Sequence, residues 1–452
     1  MRPVPPMNKM RIQLLLGVSG DVTSTLARFD SPTEAVCLRL CQAGEPALRI
    51  DSGAARIAVV RVRALVALLA IVGAVISALA AEPVAAGTAS QWWATLAFAN
   101  RDLGVVVEGS GVEQTVARCE LSVYATSNGG VSWAPPVVLS HAASCNAGGP
   151  TDELAITAVG SWFLATPQGL FEGRVRHPGF DLVPASRLTP SEPADAVCSV
   201  AAAGRSVFVV LAESCGLRDA VVLVVSGDGG STWTRSTRMP LGSAVEADLV
   251  GPPGSLVAAR PASAWLIGWR TPPSSAKPVA GPLDVTRTAD GGRTWHTSTL
   301  PCRGFFDGLL TAAGNDLAAL CLGEAMAGYQ AMEMVTSTNN GVTWTQRCDN
   351  GPPGLRRIVG ACPDAGYPSA IVAMSSGALV MALGYPIGGV AASLDGGRTW
   401  KLVLRAAATF LTLSQGTGTV WMLGIGPVSS GLRLAESADG RRWHAVALPR
   451  LG

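Results

Sequence analysis

Beyond residue 90 the chain is punctuated by short apolar runs: Val105–Val107, Trp162–Ala165, Phe208–Leu211, Trp265–Trp269, Leu317–Leu320, Leu379–Leu383 and Trp421–Ile425. Runs this brief, rich in β-branched and aromatic residues and bounded by Gly, Pro, Asn and Asp, predict buried strands joined by turns. Trp93–Ala99 and His444–Leu448 predict a first and a last strand of the same kind.

One earlier segment has a different period. From Ala64 to Ala81 eighteen residues carry no charge, with Arg56, Arg61 and Arg63 before them and Glu82 and Pro83 after. That is near the lower length limit for a membrane-spanning helix. The cationic flank predicts a cytoplasmic N-terminus and export of everything after about residue 82. Ala78-Leu79-Ala80 equally suits a signal-peptide cleavage site, and both readings export the rest. A 60-residue leader before a signal is unusual, so translation from near Val59 or Val60 is a further option. We therefore read 1–60 as a cytoplasmic or surplus leader with little order, 61–82 as anchor or signal, 83–90 as linker and 91–452 as one folded region.

A turn sequence recurs between the apolar runs. It reads Thr126-Ser-Asn-Gly-Gly-Val-Ser-Trp133, Ser226-Gly-Asp-Gly-Gly-Ser-Thr-Trp233, Thr288-Ala-Asp-Gly-Gly-Arg-Thr-Trp295, Ser337-Thr-Asn-Asn-Gly-Val-Thr-Trp344 and Ser393-Leu-Asp-Gly-Gly-Arg-Thr-Trp400. A sixth copy, Ser437-Ala-Asp-Gly-Arg-Arg-Trp443, is one residue short. In each box the acidic or amide position, Asn128, Asp228, Asp290, Asn339, Asp395 or Asp439, is placed to accept hydrogen bonds from turn amides. The glycines supply positive φ, and the hydroxyl residues add local bonds. The tryptophan then anchors the returning strand by burying its ring, with an indole N–H that needs a partner.

These boxes resemble the Asp-box, or BNR, repeat of sialidases and related β-propellers, on the pattern Ser/Thr-x-Asp-x-Gly-x-Thr-Trp. The resemblance implies hairpins at the periphery of propeller blades, remote from any catalytic centre, and it implies a fold without choosing a function. It extends to exported assembly factors related to photosystem II stability proteins, in which the ring is a binding platform. The expected fold is thus all-β: a seven-bladed β-propeller, with six or eight blades as alternatives, preceded by one N-terminal hydrophobic helix. Seven runs face six boxes. The run without a box, Trp162–Ala165, is followed by Thr166-Pro-Gln-Gly169, read as the plain turn left where a box has been lost. Seven blades over 91–452 gives about 52 residues each, close to the period of four-stranded blades.

Composition supports this picture. Of 452 residues, 48% are hydrophobic and only 15% charged, while 52 Gly and 30 Pro disfavour a helical bundle. A formal net charge of +2 gives no case for nucleic acid. Two cysteines, Cys37 and Cys41, precede the apolar helix and eight follow it. The eight allow many pairings, of which the nearest-neighbour set is Cys119 with Cys145, Cys198 with Cys215, Cys302 with Cys321, and Cys348 with Cys362, each closing a local loop. An exported chain favours such bridges.

Candidate chemistry is sparse. The sialidase pattern implied by the resemblance would include Arg-Ile-Pro, but after the apolar helix Arg-Ile occurs once, at Arg357-Ile358, and Val359 follows it. The four tyrosines, Tyr124, Tyr329, Tyr367 and Tyr385, have no Glu partner that spacing identifies. Glycosidase chemistry needs two positioned carboxylates. Asp152, Glu153, Asp307, Asp316, Glu324 and Asp364 lie outside the boxes and are the candidates. His141, His177, His296 and His444 show no metal-binding spacing, so no metal, cofactor or catalytic residue is assigned. The expected role is that of a monomeric platform for an envelope protein or glycan, held at the membrane by its N-terminal helix, without nucleic acid; a glycoside hydrolase is the alternative. The stretches Ser140–Leu154, Gly173–Ala196 and Thr271–Leu283 are the expected partner-binding loops.

Overall fold

Each of the seven apolar runs lies in the second strand of a four-stranded antiparallel sheet built from consecutive strands. The computed structural model describes residues 91–452 apart from 112–118, 143–152, 167–168, 189–195, 213–221, 237–255, 270–282, 303–304, 306, 327, 351–359, 365, 385–386, 406–409, 426–431 and 449–452. The helix expected at 64–81 lies outside these residues. The blades span 91–142, 153–182, 196–235, 256–299, 307–349, 368–405 and 410–446. The second strands read as continuous apolar runs because both of their faces are buried; Val105, Val106 and Val107 are all fully enclosed.

The first strands form the inner ring. That of each blade lies beside those of both neighbours, and the series closes from blade seven (Phe410–Gly416) back to blade one (Gln91–Phe98). The chain is thus a seven-bladed β-propeller. An inner edge strand leaves backbone groups unpaired, and side chains of adjacent blades satisfy some of them. Ser414 Oγ accepts from Phe98 N–H at 3.0 Å, Thr311 Oγ1 accepts from Ala373 N–H at 2.9 Å, and Ser369 Oγ donates to Leu411 O at 2.6 Å.

The apolar core is divided into seven clusters, one at each interface between blades. Phe98, Val106 and Tyr124 of blade one meet Trp421, Leu423 and Leu434 of blade seven, whereas Val105 and Val107 pack with Trp162 and Leu164 of blade two. Alternate residues of one strand therefore serve opposite interfaces, as a period of two requires. The closing interface shares no strand across it, since blade one and blade seven each hold four consecutive strands. It is held by side chains: Phe98 stacks on Trp421 with centroids 3.8 Å apart and planes 7° apart, and Arg101 pairs with Glu436 at 3.3 Å. Thr417 N–H also donates to Ala99 O at 3.3 Å.

Two disulfides are present among the described residues, Cys302–Cys321 and Cys348–Cys362. Both pairings are those expected, but their role differs from loops closed within a blade. Cys302 follows the last strand of blade four and Cys321 lies inside blade five; Cys348 ends blade five and Cys362 precedes the first strand of blade six. Each bridge therefore staples two blades. Cys198 is disulfide-bonded as well, while Cys215 and Cys145 lie outside the described residues, as does the side chain of Cys119.

Three further expectations are corrected. The Thr166–Gly169 turn joins the second and third strands of blade two, whereas boxes join third and fourth strands. The position where blade two lacks a box is Arg174–His177, where the chain turns too tightly to hold one. Gly173–Ala196, expected as one loop, contains the fourth strand His177–Leu182 and a short helix, Ala185–Leu188. Not every box indole finds a partner either, since Trp233, Trp295 and Trp443 have buried Nε1 atoms with none among the described residues.

The glycine of each box that faces a neighbour makes one stability prediction. Gly130 has φ 78°, and a Cβ there would stand 2.6 Å from Val446 of blade seven; Gly291 has φ 73° and open space around it. Gly291→Ala adds only backbone strain, about 1–2 kcal/mol, whereas Gly130→Ala adds overpacking of a further ~1–3 kcal/mol at the closing interface. Urea unfolding followed by tryptophan fluorescence measures both, and equal losses would contradict this account.

Candidate functional site

The boxes form a common structure. In the first five, the opening hydroxyl accepts from the N–H four residues later at 2.8–2.9 Å: Gly130, Gly230, Gly292, Gly341 and Gly397 donate to Thr126, Ser226, Thr288, Ser337 and Ser393. The Asp or Asn Oδ1 accepts the backbone N–H of Ser132, Thr232, Thr294, Thr343 or Thr399, each at 2.9 Å. The remaining bond shows why Asn substitutes for Asp. Thr232, Thr294 and Thr399 hydroxyls donate to the second carboxylate oxygen at 2.6 Å, whereas Asn128 and Asn339 Nδ2 donate to Ser132 and Thr343 at 2.7 and 2.8 Å. A hydroxyl rotates to serve as donor or acceptor, so the same geometry tolerates either residue. The short sixth box keeps part of this net, with Arg441 and Arg442 N–H donating to Asp439 Oδ1 at 2.8 Å.

The boxes wedge adjacent blades together. Trp133, Trp233, Trp295, Trp344, Trp400 and Trp443 are all half-buried, and each packs on the cluster that its blade shares with the preceding one. Trp133 Nε1 donates to Ala447 O of blade seven at 2.9 Å, and Trp344 Nε1 to Ser298 Oγ of blade four at 3.1 Å. Blade two, which lacks a box, uses Phe180 against Trp162 and Phe171 instead. Arg187, on the Ala185–Leu188 helix, joins Glu172 of blade two at 2.8 Å to the carbonyl of Gly230 in the box of blade three at 2.5 Å. The recurring turn residues are thus spent on architecture.

Strand direction separates two faces. First and third strands run the same way, so all boxes lie at the end where first strands finish, and Gly129, Gly229, Gly291 and Asn340 N–H donate to carbonyls of the adjacent first-to-second turns. The other face carries the starts of the first strands, the second-to-third turns and the connections between blades. Glu153 and Asp307 begin the first strands of blades two and five there. Glu153 Oε2 accepts from Ser199 Oγ and from Val200 N–H, the latter at 2.8 Å, both in the first strand of blade three. Burial of this carboxyl, opposed by those two bonds, pushes its pKa up to about 8. Burial also raises Asp307, against a bond from Gly308 N–H at 2.7 Å. Packed sheets stand about 10 Å apart, which puts blades two and five about 22 Å apart across a regular seven-membered ring. Glycosidase carboxyls are about 5–9.5 Å apart, so Glu153 and Asp307 are not such a pair.

The other candidates are dispersed. Asp316 is exposed at the start of the second strand of blade five, on the box-bearing face; Glu324 is exposed near the other end of that strand. Asp364 is exposed ahead of blade six, and Asp152 lies outside the described residues. His177, His296 and His444 are exposed at the starts of fourth strands. Among the described residues no group of three His, Cys, Asp or Glu side chains is placed to hold a metal. Among the buried polar groups not singled out from sequence are Ser199, and Glu108 in the second strand of blade one (Gly104–Gly111). The one available signal for Glu108 was a charge inside an otherwise apolar strand.

No protein-family model and no curated protein matches the chain. Among solved structures it is similar to the β-propeller domain of the Trilobed protease from Pyrococcus furiosus, at 9% identity over 80% of this chain and 100% of that one, with TM-score 0.47. It is similar to a Hadza microbial sialidase at 14% identity over 79% of this chain and 66% of that one, with TM-score 0.42. A lectin from Aleuria aurantia, solved with alpha-methyl-L-fucoside, shows 11% identity over 79% of this chain and 94% of that one, with TM-score 0.39. At these identities the likeness is one of fold.

Two pH predictions follow from the carboxyls. Asp228 and Asp290 are held at about 2 chiefly by the Thr232 and Thr294 hydroxyls; at Asp395 burial opposes, and the Thr399 bonds with the remaining donors outweigh it to the same value. Depressed carboxylates stabilise the fold above their unfolded pKa, and that contribution disappears as pH falls from about 4 to about 2. The triple variant Asp228→Asn, Asp290→Asn, Asp395→Asn is expected to show a flatter loss of melting temperature over that window. For Glu153 the sign reverses: a raised pKa favours folding below the unfolded value, and the benefit is lost as pH rises from about 4.5 to about 8. Glu153→Gln is expected to match the parent at pH 5 and exceed its melting temperature at pH 9; a variant less stable at both would refute the assignment.

Proposed function

We propose that this protein is an exported, envelope-associated Asp-box propeller that acts as a protein- or glycan-binding platform. The observation that carries the proposal is the use to which the ring's interior puts its polar groups. At the inner strands Glu153, Ser199, Thr311, Ser369 and Ser414 are engaged as clips between blades. The half-buried positions beside them are largely small and uncharged, among them Thr95, Ala196, Val257, Ala370 and Thr412. A ring organised in this way is a scaffold, and its loop-rich surface is the face opposite the boxes, where the connections between blades emerge. The two disulfides fit an oxidising compartment. Among the described residues no helix is long and apolar enough to cross a membrane; attachment is proposed for residues 64–81, which lie outside them.

One observation favours the glycoside hydrolase reading. Asp307 pairs in register with Leu322, and Glu324 follows two residues on, so two acids share one edge of blade five. Burial raises Asp307, as a general acid requires. The full-length protein separates the readings. Envelope fractions passed over it should yield a retained protein or glycan, lost when 271–282 is replaced by a Gly-Ser linker and kept in an Asp307→Asn variant. Turnover of aryl glycosides that Asp307→Asn abolishes would overturn the platform.

A further inference from the structure

The interface between blades seven and one is the one place where the first and last blades must join, and no strand or described disulfide crosses it. The two bridges among the described residues lie elsewhere in the ring, tying blade four to five and five to six. Into this interface the second strand of blade one sends a carboxyl. Alternation puts Gly104, Val106 and Glu108 on the side that meets blade seven: Val106 belongs to the cluster with Trp421, Leu423 and Leu434, and Gly104 lies beneath the Phe98 ring that stacks on Trp421. Glu108 is 4% exposed. Its Oε2 receives a long hydrogen bond from the Tyr124 hydroxyl at 3.5 Å, and its Oε1 is buried with no partner among the described residues.

The surroundings favour a neutral acid. In register with Glu108 stand Ala94 on one side and Ser122 on the other, and the blade-seven residues of this cluster are apolar. Among the described residues Tyr124 is the titratable group in contact with it. Arg101 and Glu436 pair with each other at the box-bearing end of the interface, more than about 10 Å along the strand from Glu108. Arg433, on the third strand of blade seven, is exposed. Desolvation raises the Glu108 pKa, opposed by the Tyr124 bond.

We propose that the interface between blades seven and one is a protonation latch: Glu108 as a neutral acid holds the ring shut, and loss of its proton to solvent releases this interface while blades four to six stay joined. Among the described residues an ionised carboxylate here has no cation in contact, and opening the interface hydrates it. Opening breaks side-chain contacts without breaking a strand ladder. The six other interfaces keep the fold intact, so the change is local.

Hydrogen exchange read by mass spectrometry on the full-length protein from pH 4.5 up to pH 9, corrected for intrinsic amide rates, tests this. Peptides from 91–111 and 419–437 should lose protection by up to tenfold per pH unit once Glu108 titrates, while peptides from 307–349 and 368–405 do not. Glu108→Gln should abolish that dependence, and Tyr124→Phe, which removes a donor that favours the ionised form, should move it to higher pH. Should Glu108→Gln not fold, Tyr124→Phe alone decides. A Glu153→Gln control should leave the loss in place. Constant protection in the parent, equal loss in all blades, an unshifted profile in Tyr124→Phe, retention of the effect in Glu108→Gln, or its disappearance in Glu153→Gln would overturn the proposal.

Discussion

No blade of this protein has a core of its own. A four-stranded sheet exposes two faces, and here both are covered only by neighbouring sheets, so every apolar side chain of a second strand depends on a blade other than its own. Closure of the ring is the constraint from which the rest follows. Remove one interface and two faces are exposed at once, each lined by Val, Leu, Phe and Trp.

The boxes make sense as answers to that constraint. Their hydrogen bonds fix a turn, but the turn is rigid so that a glycine and a tryptophan meet the preceding blade in the same way each time. Gly130 lies against Val446 and Gly230 against Phe163; Gly440 lies against Val380. A Cβ at any of these would push the blades apart. Blade two reaches the same end by another route, with Phe180 filling the interface and Arg187 crossing to the next box. The inner edges are laced by hydroxyls and by Glu153, which explains why polar residues sit where a ligand site would be sought.

The interfaces differ in how they are secured. Among the described residues disulfides bridge blades four, five and six, whereas the junction of blades seven and one shows an aromatic stack, one exposed ion pair and indole and backbone bonds. A surface ion pair such as Arg101–Glu436 contributes little, about 0–1 kcal/mol, so the stacked rings and the glycine contact dominate. The same junction holds, among the described residues, the one buried carboxyl with an oxygen that has no partner.

The number of blades, the strands at their centres and the two described bridges were legible in the chain, because each depends on local patterning: a period of two, turn residues at fixed offsets, and cysteines at short separation. The spacing of six tryptophans and seven apolar runs was enough to count repeats. Which neighbour each side chain meets was not legible, because it depends on contacts between residues far apart in sequence. Phe98 and Trp421 stack across more than three hundred residues, and Glu153 reaches Ser199 in the next blade. Nor could a misplaced turn at Thr166–Gly169 be told from the true hairpin at Arg174–His177, since both follow apolar strands and only pairing decides which joins third to fourth. Local chemistry set the parts. Only closure of the ring assigned Glu108 and Glu153 to buried interfaces, since burial is a property of the neighbours that surround a group and not of the residues beside it in the chain.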